Sequence, residues 1–403
     1  MTYSSFSRNL PRALYFKQAT NKANLIVHGQ GVILFTASGP CNLTFSDASG
    51  VVGLKVSFTD SKVLVNLEPS NEPLVDTRNS KGVVSQSGAT YWFSLDSHNL
   101  RLTAGIGEAR IETITYSFQF PSTDTNSRKA FLEALTTVEV VGLQITTMLR
   151  DPITRQVPLL VKDIHTLTMD MIDAGTVLPK ANLSLMSQKL YDTISGKAFV
   201  LDTPDFPQFS KAIEASIRTP GRWCYERLKE KATEFNKDKP DPSETYLRIT
   251  LGENNGESPG IPYVMEIWPV GHYSPIHNHG GASAVIRVLH GSIEVSLFPF
   301  LSSDNVAPFA KKQFSKGDIT WISPTLNQVH QLKNLEGNKN TCITIQCYMY
   351  EQEDRVHYDY FDYLDADGVK QQFDPDSDMD FAKFKATMKR EWAEQMGCWG
   401  FLI

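Results

Sequence analysis

Residues 271–298 read GHYSPIHNHGGASAVIRVLHGSIEVSLF. His277 and His279 stand one residue apart, behind the run GHYSPI and ahead of a glycine turn. A β-branched stretch follows, then Gly291, then a second strand-like stretch. Four of the chain's nine histidines fall between 272 and 290, so the region is enriched in one chemistry. Alternate residues of a strand face the same side, which predicts that His277 and His279 point together into a barrel. A third histidine, His330, ends the segment GDITWISPTLNQVH and is followed by Asn334. An antiparallel strand carrying His330 can set a third imidazole beside the first two. Three neutral imidazoles on one side of a metal leave positions open for substrate. Imidazole suits iron, copper, zinc and nickel alike, so these ligands do not select the metal. The plainer reading is a pair of strand histidines with no metal. It loses ground because the flanking glycines, Pro324 and His330 recur in order.

Working outward, the segments YLRITL, YVMEIW, SAVIRVLHG, IEVSLFPF, DITWI, HQLKN and TCITIQCYMY predict strands from Tyr246 to about 350. Residues 1 to about 120 are also β-rich. NLIVHG, GVILFTA, VVGLKVSF, KVLVNL and ATYWFSL are separated by Gly, Asn, Asp and Ser, the pattern of a sandwich or jelly roll. Between these regions lie the helical stretches DIHTLTMDMIDAG, SLMSQKLYDTISGKAFV and GRWCYERLKEKATEF, and DSDMDFAKFKATMKREWAEQ returns to helix near the end. The expected fold is mainly β, in three parts. A β-sandwich or jelly roll spans 1–120, a mostly helical connector 121–204 and a β-barrel 205–403.

The chain has 403 residues, too many for one ordinary core. A net charge of -6 argues against a bulk electrostatic binder of nucleic acid. No run approaches the length of a membrane span, and MTYSSFSRNLPRALYF has no apolar core of a signal peptide. Cys41, Cys224, Cys342, Cys347 and Cys398 are sparse and irregularly spaced, which predicts a reducing, cytoplasmic setting.

Gly271, His277, His279 and Gly291, followed by Gly317, Pro324, His330 and Asn334, resemble the two cupin motifs. The usual cupin carries a glutamate ligand shortly after the histidine pair, where this chain has Ala284. A cupin with three histidines and no glutamate resembles the thiol dioxygenases, above all cysteine dioxygenase. SPIHNH, AVIRVLHGSIEVSLF and HQLKNLEGNKNTCITIQCYMY carry that likeness, which extends over about 205–365. The resemblance implies Fe(II) held by His277, His279 and His330, with a small thiol and O2 as substrates. L-Cysteine would be oxidised to cysteine sulfinic acid. A ferrous ion held by three neutral ligands keeps its full charge and depresses the pKa of a bound thiol. Arg248 would pair with the substrate carboxylate through its planar fork, beside Tyr246. Tyr348 would hydrogen-bond near the carboxylate and the oxygen site, with Gln346 and His272 behind these groups.

Two departures from the family matter. Ala284 stands where animal cysteine dioxygenases crosslink a cysteine to the tyrosine, so Tyr348 remains an unmodified phenol. Gln346 stands where the family usually has a histidine, and glutamine cannot change charge near neutral pH. They leave open another small thiol, such as 3-mercaptopropionate or cysteamine. They also leave open a catalytically quiet, metal-binding cupin acting as a sensing or scaffold module. The loop GENNGESPGIPY is long for the family. Cys347 lies between Gln346 and Tyr348, so alternation turns it away from the metal.

The stretch GATYWFSLDSHNLRLTAGIGEARIETITYSF is similar to the domain named after farnesoic acid O-methyltransferase. That likeness implies a β-sandwich that binds a ligand or a protein partner. GIGEAR, at 105–110, lacks the third glycine of a dinucleotide fingerprint. Tyr91 and Trp92 read as core. DPDSDMD, at 374–380, has Met379 and Lys385 at two key positions of a calcium loop and reads instead as a solvated helix N-terminus. His290 reads as a turn residue.

Overall fold

The computed structural model describes residues 10–16, 18, 20–75, 82–83, 89–122, 125–154, 156–252, 261–305, 307–350 and 360–397. Most of the long loop GENNGESPGIPY, and Cys398, lie outside the described residues. The chain forms two compact units, Met1–Gln156 and Val157–Ile403.

The first unit is built from two six-stranded sheets. One is ordered Ala13–Tyr15, Gln144–Leu149, Gln30–Thr36, Thr90–Asp96, Arg101–Ile106 and Ile114–Gln119. The other is ordered Lys22–Asn24, Leu135–Val141, Cys41–Asp47, Val52–Phe58, Val63–Leu67 and Glu72–Pro73. Period-two alternation buries one face of each sheet, as in Val63–Leu67, where Val63, Val65 and Leu67 are inside. Aromatic rings join the two sheets. Phe35 meets Phe58 with centroids 5.1 Å apart, and Phe45 meets Phe93 at 5.5 Å. Tyr91 and Trp92 are fully buried core residues.

The boundaries differ from those drawn on the sequence. The β-branched segments Leu135–Val141 and Gln144–Leu149, placed in the connector, pair into both sheets of the first unit. Residues 157–204 belong with the barrel. Val161–Lys162 and Leu178–Pro179 extend one of its sheets, and helix Leu185–Ile194 packs on strands Ser283–His290 and Cys342–Met349.

The barrel of the second unit has an eight-stranded and a six-stranded sheet. In the larger sheet, strands Ile319–Ile322, Ser283–His290, Cys342–Met349, Tyr263–Trp268 and Leu247–Leu251 lie side by side. The smaller is ordered Ala310–Ser315, Ser292–Leu297, His330–Lys333, Ile276–His277, Phe361–Leu364 and Lys370–Phe373. This double-sheet jelly roll is the architecture of cupins. The strand Cys342–Met349 is buried along its whole length because both of its faces are covered. Ala284, Ile286 and Tyr348 face the barrel interior in one cluster. Cys347 faces helix Leu185–Ile194, with its Sγ 3.6 Å from the Leu190 carbonyl oxygen.

The chain passes from one sheet to the other at Gly291, between His290 and Ser292. Its φ is +68°, and a Cβ there would lie 2.4 Å from the Thr341 carbonyl oxygen. Helices Phe209–Arg218, Trp223–Glu230 and Phe381–Gln395 pack through Phe209, Trp223 and Phe384. Asp378, read from the sequence as part of a solvated helix start, has a buried side chain. It is paired with Arg227 at 2.8 Å and Lys231 at 3.0 Å, and it accepts from the Arg248 backbone N–H at 2.7 Å. The cations contributed by the helix Trp223–Glu230 and the turn after it draw it inward. Among the described residues, no helix is long and apolar enough to cross a membrane.

Gly291→Ala is expected to destabilise the chain by about 2–4 kcal/mol, through a strained φ and a backbone clash. Urea unfolding with unchanged m reads this. Gly337→Ala, where a Cβ meets nothing within 4 Å, should fall within about 0.5 kcal/mol of the parent.

Candidate metal centre

The three histidines meet because two short strands are in register. His277 ends Ile276–His277 and lies directly opposite His330, the first residue of His330–Lys333. His279 comes two residues later, in the turn before Gly280 and Gly281. That turn is pinned by Gln328, which accepts from the Gly281 N–H at 3.0 Å and donates to the Ala282 carbonyl at 2.8 Å. The imidazole centroids are 4.6–5.0 Å apart, and the potential ligand atoms lie within 4.8 Å of one another. No carboxylate or thiol among the described residues joins this group.

Backbone carbonyls set the tautomers. His277 Nδ1 donates to the Pro275 carbonyl at 3.0 Å, and His330 Nδ1 to the Asn327 carbonyl at 3.0 Å. Each Nε2 is therefore a bare acceptor. Asn327 can offer that carbonyl because it adopts a left-handed φ of 64° and ties its side chain to the Trp321 carbonyl. Burial pushes His277 down to about 4 and His330 down to about 3, and holds His279 well below the ordinary histidine range. The three rings are neutral near pH 7.

The donor set fits a divalent metal. His279 Nε2 and His330 Nε2 face each other at 3.2 Å, while His279 Nδ1 is buried without a hydrogen-bond partner. With His279 protonated on Nδ1, two lone pairs confront each other; with it protonated on Nε2, Nδ1 is left buried and unpaired. A cation between the Nε2 atoms removes the confrontation. Two nitrogens at about 2.1 Å from one ion stand about 3 Å apart.

The triad opens on a cavity that also meets Tyr246, Arg248, Glu266 and Gln346. Tyr246 stacks on Trp268 at 4.2 Å. Arg248 is 3% exposed, and its Nη1 donates to Glu266 Oε1 at 3.2 Å. The other Glu266 oxygen accepts from Gln346, whose carbonyl oxygen accepts from the Tyr348 hydroxyl. A single hydrogen-bonded chain thus runs from Arg248 through Glu266 and Gln346 to Tyr348. The Tyr348 ring lies 5.6 Å from that of His279. Burial holds the Tyr348 hydroxyl well above its ordinary value, so it is a neutral donor. Ala284 is registered directly across from Tyr348.

The structure therefore brings together His277, His279, His330, Tyr246, Arg248, Gln346 and Tyr348. It does not bring in His272, which was expected behind the site. Its Nδ1 is held by Thr245, 2.9 Å from the carbonyl and 3.0 Å from the hydroxyl. His272 lies on the loop before the histidine strand and secures it, with its backbone carbonyl accepting from Asn334 N–H at 2.9 Å. Glu266 was missed. The available signal was an acid in the otherwise apolar strand YVMEIW, on the same face as Val264 and Trp268.

No protein-family model matches the chain. Among solved structures, it is similar to one reported with the DMSP lyases RdDddP and RnDddQII, at 16% identity and TM-score 0.17, covering 22% of this chain and 37% of that one. It is also similar to a protein with a double-stranded β-helix domain from Klebsiella pneumoniae, at 19% identity and TM-score 0.21, covering 28% and 79%. A third is a cupin 2 domain-containing protein from Halorhodospira halophila, at 15% identity and TM-score 0.20, covering 41% and 89%. The chain thus spans well under half of the first of these. Neither activity nor ligand is carried over from them.

Replacing His277, His279 or His330 by alanine is expected to reduce bound metal from about one ion per chain to near zero, read by elemental analysis after identical loading. A second expectation concerns Glu266. Burial raises its carboxyl from the ordinary 4.5 to about 7, against the opposing pull of Arg248 and Gln346. Between those values the folded chain holds a proton that the unfolded chain has lost, so its contribution to stability falls as pH rises. Relative to Glu266→Gln, the parent should lose on the order of 3 kcal/mol between about pH 4.5 and pH 8, measured by denaturant unfolding of the metal-free proteins.

Proposed function

We propose that the barrel is an iron(II)-dependent dioxygenase of a small thiol, converting the thiol and O2 to a sulfinic acid. The observation that carries this reading is the convergence of three neutral imidazoles on one cavity, with no carboxylate among the described residues joining their cluster and the cavity's acid, Glu266, already paired with Arg248. A divalent ion held by neutral ligands keeps its charge and favours an anionic thiolate as its companion. When bound, iron supplies a common site for the thiolate and dioxygen. The remaining work belongs to the chain. The carbonyls of Pro275 and Asn327 keep the Nε2 atoms of His277 and His330 unprotonated. Phe361, packed edge-on against His279 at 4.6 Å, and Ile286 keep one wall apolar and limit water. Tyr348, neutral and held by Gln346, can offer a proton but not a charge.

L-Cysteine is the substrate implied by the family resemblance, with 3-mercaptopropionate and cysteamine as the nearest alternatives. Cys41, Cys224, Cys342 and Cys347 are buried free thiols, which suits activity in the cytoplasm. The N-terminal sandwich serves on this reading as a module for a ligand or protein partner. A second reading, a catalytically quiet metal-binding barrel used for sensing or scaffolding, draws on Ala284 opposite Tyr348 and on Gln346 in the chain behind it.

Oxygen uptake by the Fe(II)-loaded protein, with each of the three thiols in turn and mass spectrometry of the product, decides between them. The dioxygenase gives stoichiometric uptake with at least one thiol and a product heavier by both oxygen atoms. Absence of uptake with all three, in protein shown to hold iron, favours the quiet module.

A further inference from the structure

We propose that Glu266 sets the substrate class of this site. It is a built-in counter-ion for Arg248 and stands in for a substrate carboxylate, so the pocket prefers a small thiol carrying an amine or no charge over one carrying a carboxylate. This rests on the thiol dioxygenase reading.

Arg248 and Glu266 are the opposed charges of the cavity that the histidines open on, and both side chains are almost fully buried. A buried guanidinium needs a partner, and here the protein supplies it. Gln346 holds the second carboxylate oxygen, so Glu266 is fixed from both sides. Arg248 Nε is buried and without a hydrogen-bond partner, so among the described residues the guanidinium's anionic partner is Glu266 alone. A substrate carboxylate brought to Arg248 would place two anions against one guanidinium in a buried site, and two such groups resist being ionised together. A neutral group brings no such repulsion, and an ammonium gains from Glu266.

The groups facing Glu266 are Arg248 from one neighbouring strand with Tyr246 just before it, and Gln346, Tyr348 and Cys342 from the other. Lys231 faces it from the helical turn behind. Lys231 is already committed to Asp378 and Glu234, so it does not replace Arg248 as the partner. Below about pH 7 a proton on Glu266 removes its charge and leaves Arg248 unneutralised.

The test uses propionate, a carboxylate with no thiol, on the metal-free full chain by calorimetry. Oxygen uptake with 3-mercaptopropionate and with cysteamine on the iron-loaded chain runs beside it. Near pH 8, Glu266→Gln should bind propionate about tenfold or more tighter than the parent. The parent should approach the variant as pH falls to about 5.5. The double variant Arg248→Met with Glu266→Leu should lose the response at both pH values. In turnover, the ratio of kcat/KM for 3-mercaptopropionate over cysteamine should rise about tenfold or more in Glu266→Gln. The proposal is overturned if the parent binds propionate near pH 8 as tightly as Glu266→Gln does, or if the turnover ratio does not move. Should Glu266→Gln not fold, the parent's pH titration against the double variant decides: no gain of propionate binding at low pH sinks the idea. If propionate behaves as expected but no thiol is oxidised by any variant, the counter-ion role stands and the dioxygenase reading falls.

Discussion

The register of His277 against His330 is the constraint on which the rest of the barrel depends. Each strand is short, only Ile276–His277 and His330–Lys333, so pairing energy alone does not secure it. It is secured by what lies on either side. Ser274 accepts from the Leu332 N–H at 3.1 Å, and Asn334 bonds the Trp268 carbonyl at 2.8 Å and the Asn340 carbonyl at 3.0 Å. A one-residue slip of either strand would turn its imidazole out of the barrel. The two conspicuous motifs are therefore halves of one device, with histidines facing inward and Ser274 and Asn334 locking the frame.

Burying three imidazoles without charge is tolerable; burying them charged is not. That is why all three stand neutral. The same burial acts differently on the pair behind them. Arg248 and Glu266 remain in the interior because each satisfies the other. A buried ion pair of this kind adds little net stability over a well-packed apolar pair, while loss of one partner strands the other. Its persistence beside the cavity is better explained by what it does to an incoming anion than by what it adds to the fold.

Much of this was legible in the sequence. The three histidines and the alternation about Cys347 are where the sequence rules put them, but His279 reaches the site from the turn after strand Ile276–His277 and not by the strand alternation expected of it. The boundaries were not legible. KAFLEALTTVEVVGLQITTMLR begins as helix, and only long-range pairing into both sheets turns its second half into strands. Asp378 looked like a surface carboxylate because the cations that bury it, Arg227 and Lys231, lie far away in sequence. Glu266 escaped for a similar reason: its meaning depends on Arg248, a neighbour only across the sheet. Motifs name ligands, whereas counter-ions must be found by geometry.

The chain from Arg248 to Tyr348 shows where the site can respond to pH. Tyr348 is neutral because burial raises its hydroxyl far above the physiological range, and Gln346 has no charge to change. Arg248 stays protonated: burial works against its charge, but a guanidinium does not give up its proton in this range and Glu266 stands beside it. The histidines titrate only in acid. Within that chain, Glu266 alone can gain or lose a proton near pH 7. With the uncharged Gln346 next to Tyr348, the titrating group sits one link away from the tyrosine, and on the arginine. A proton there alters what the arginine can bind and leaves the phenol as it was, so the pH response of this pocket is a response in substrate selection.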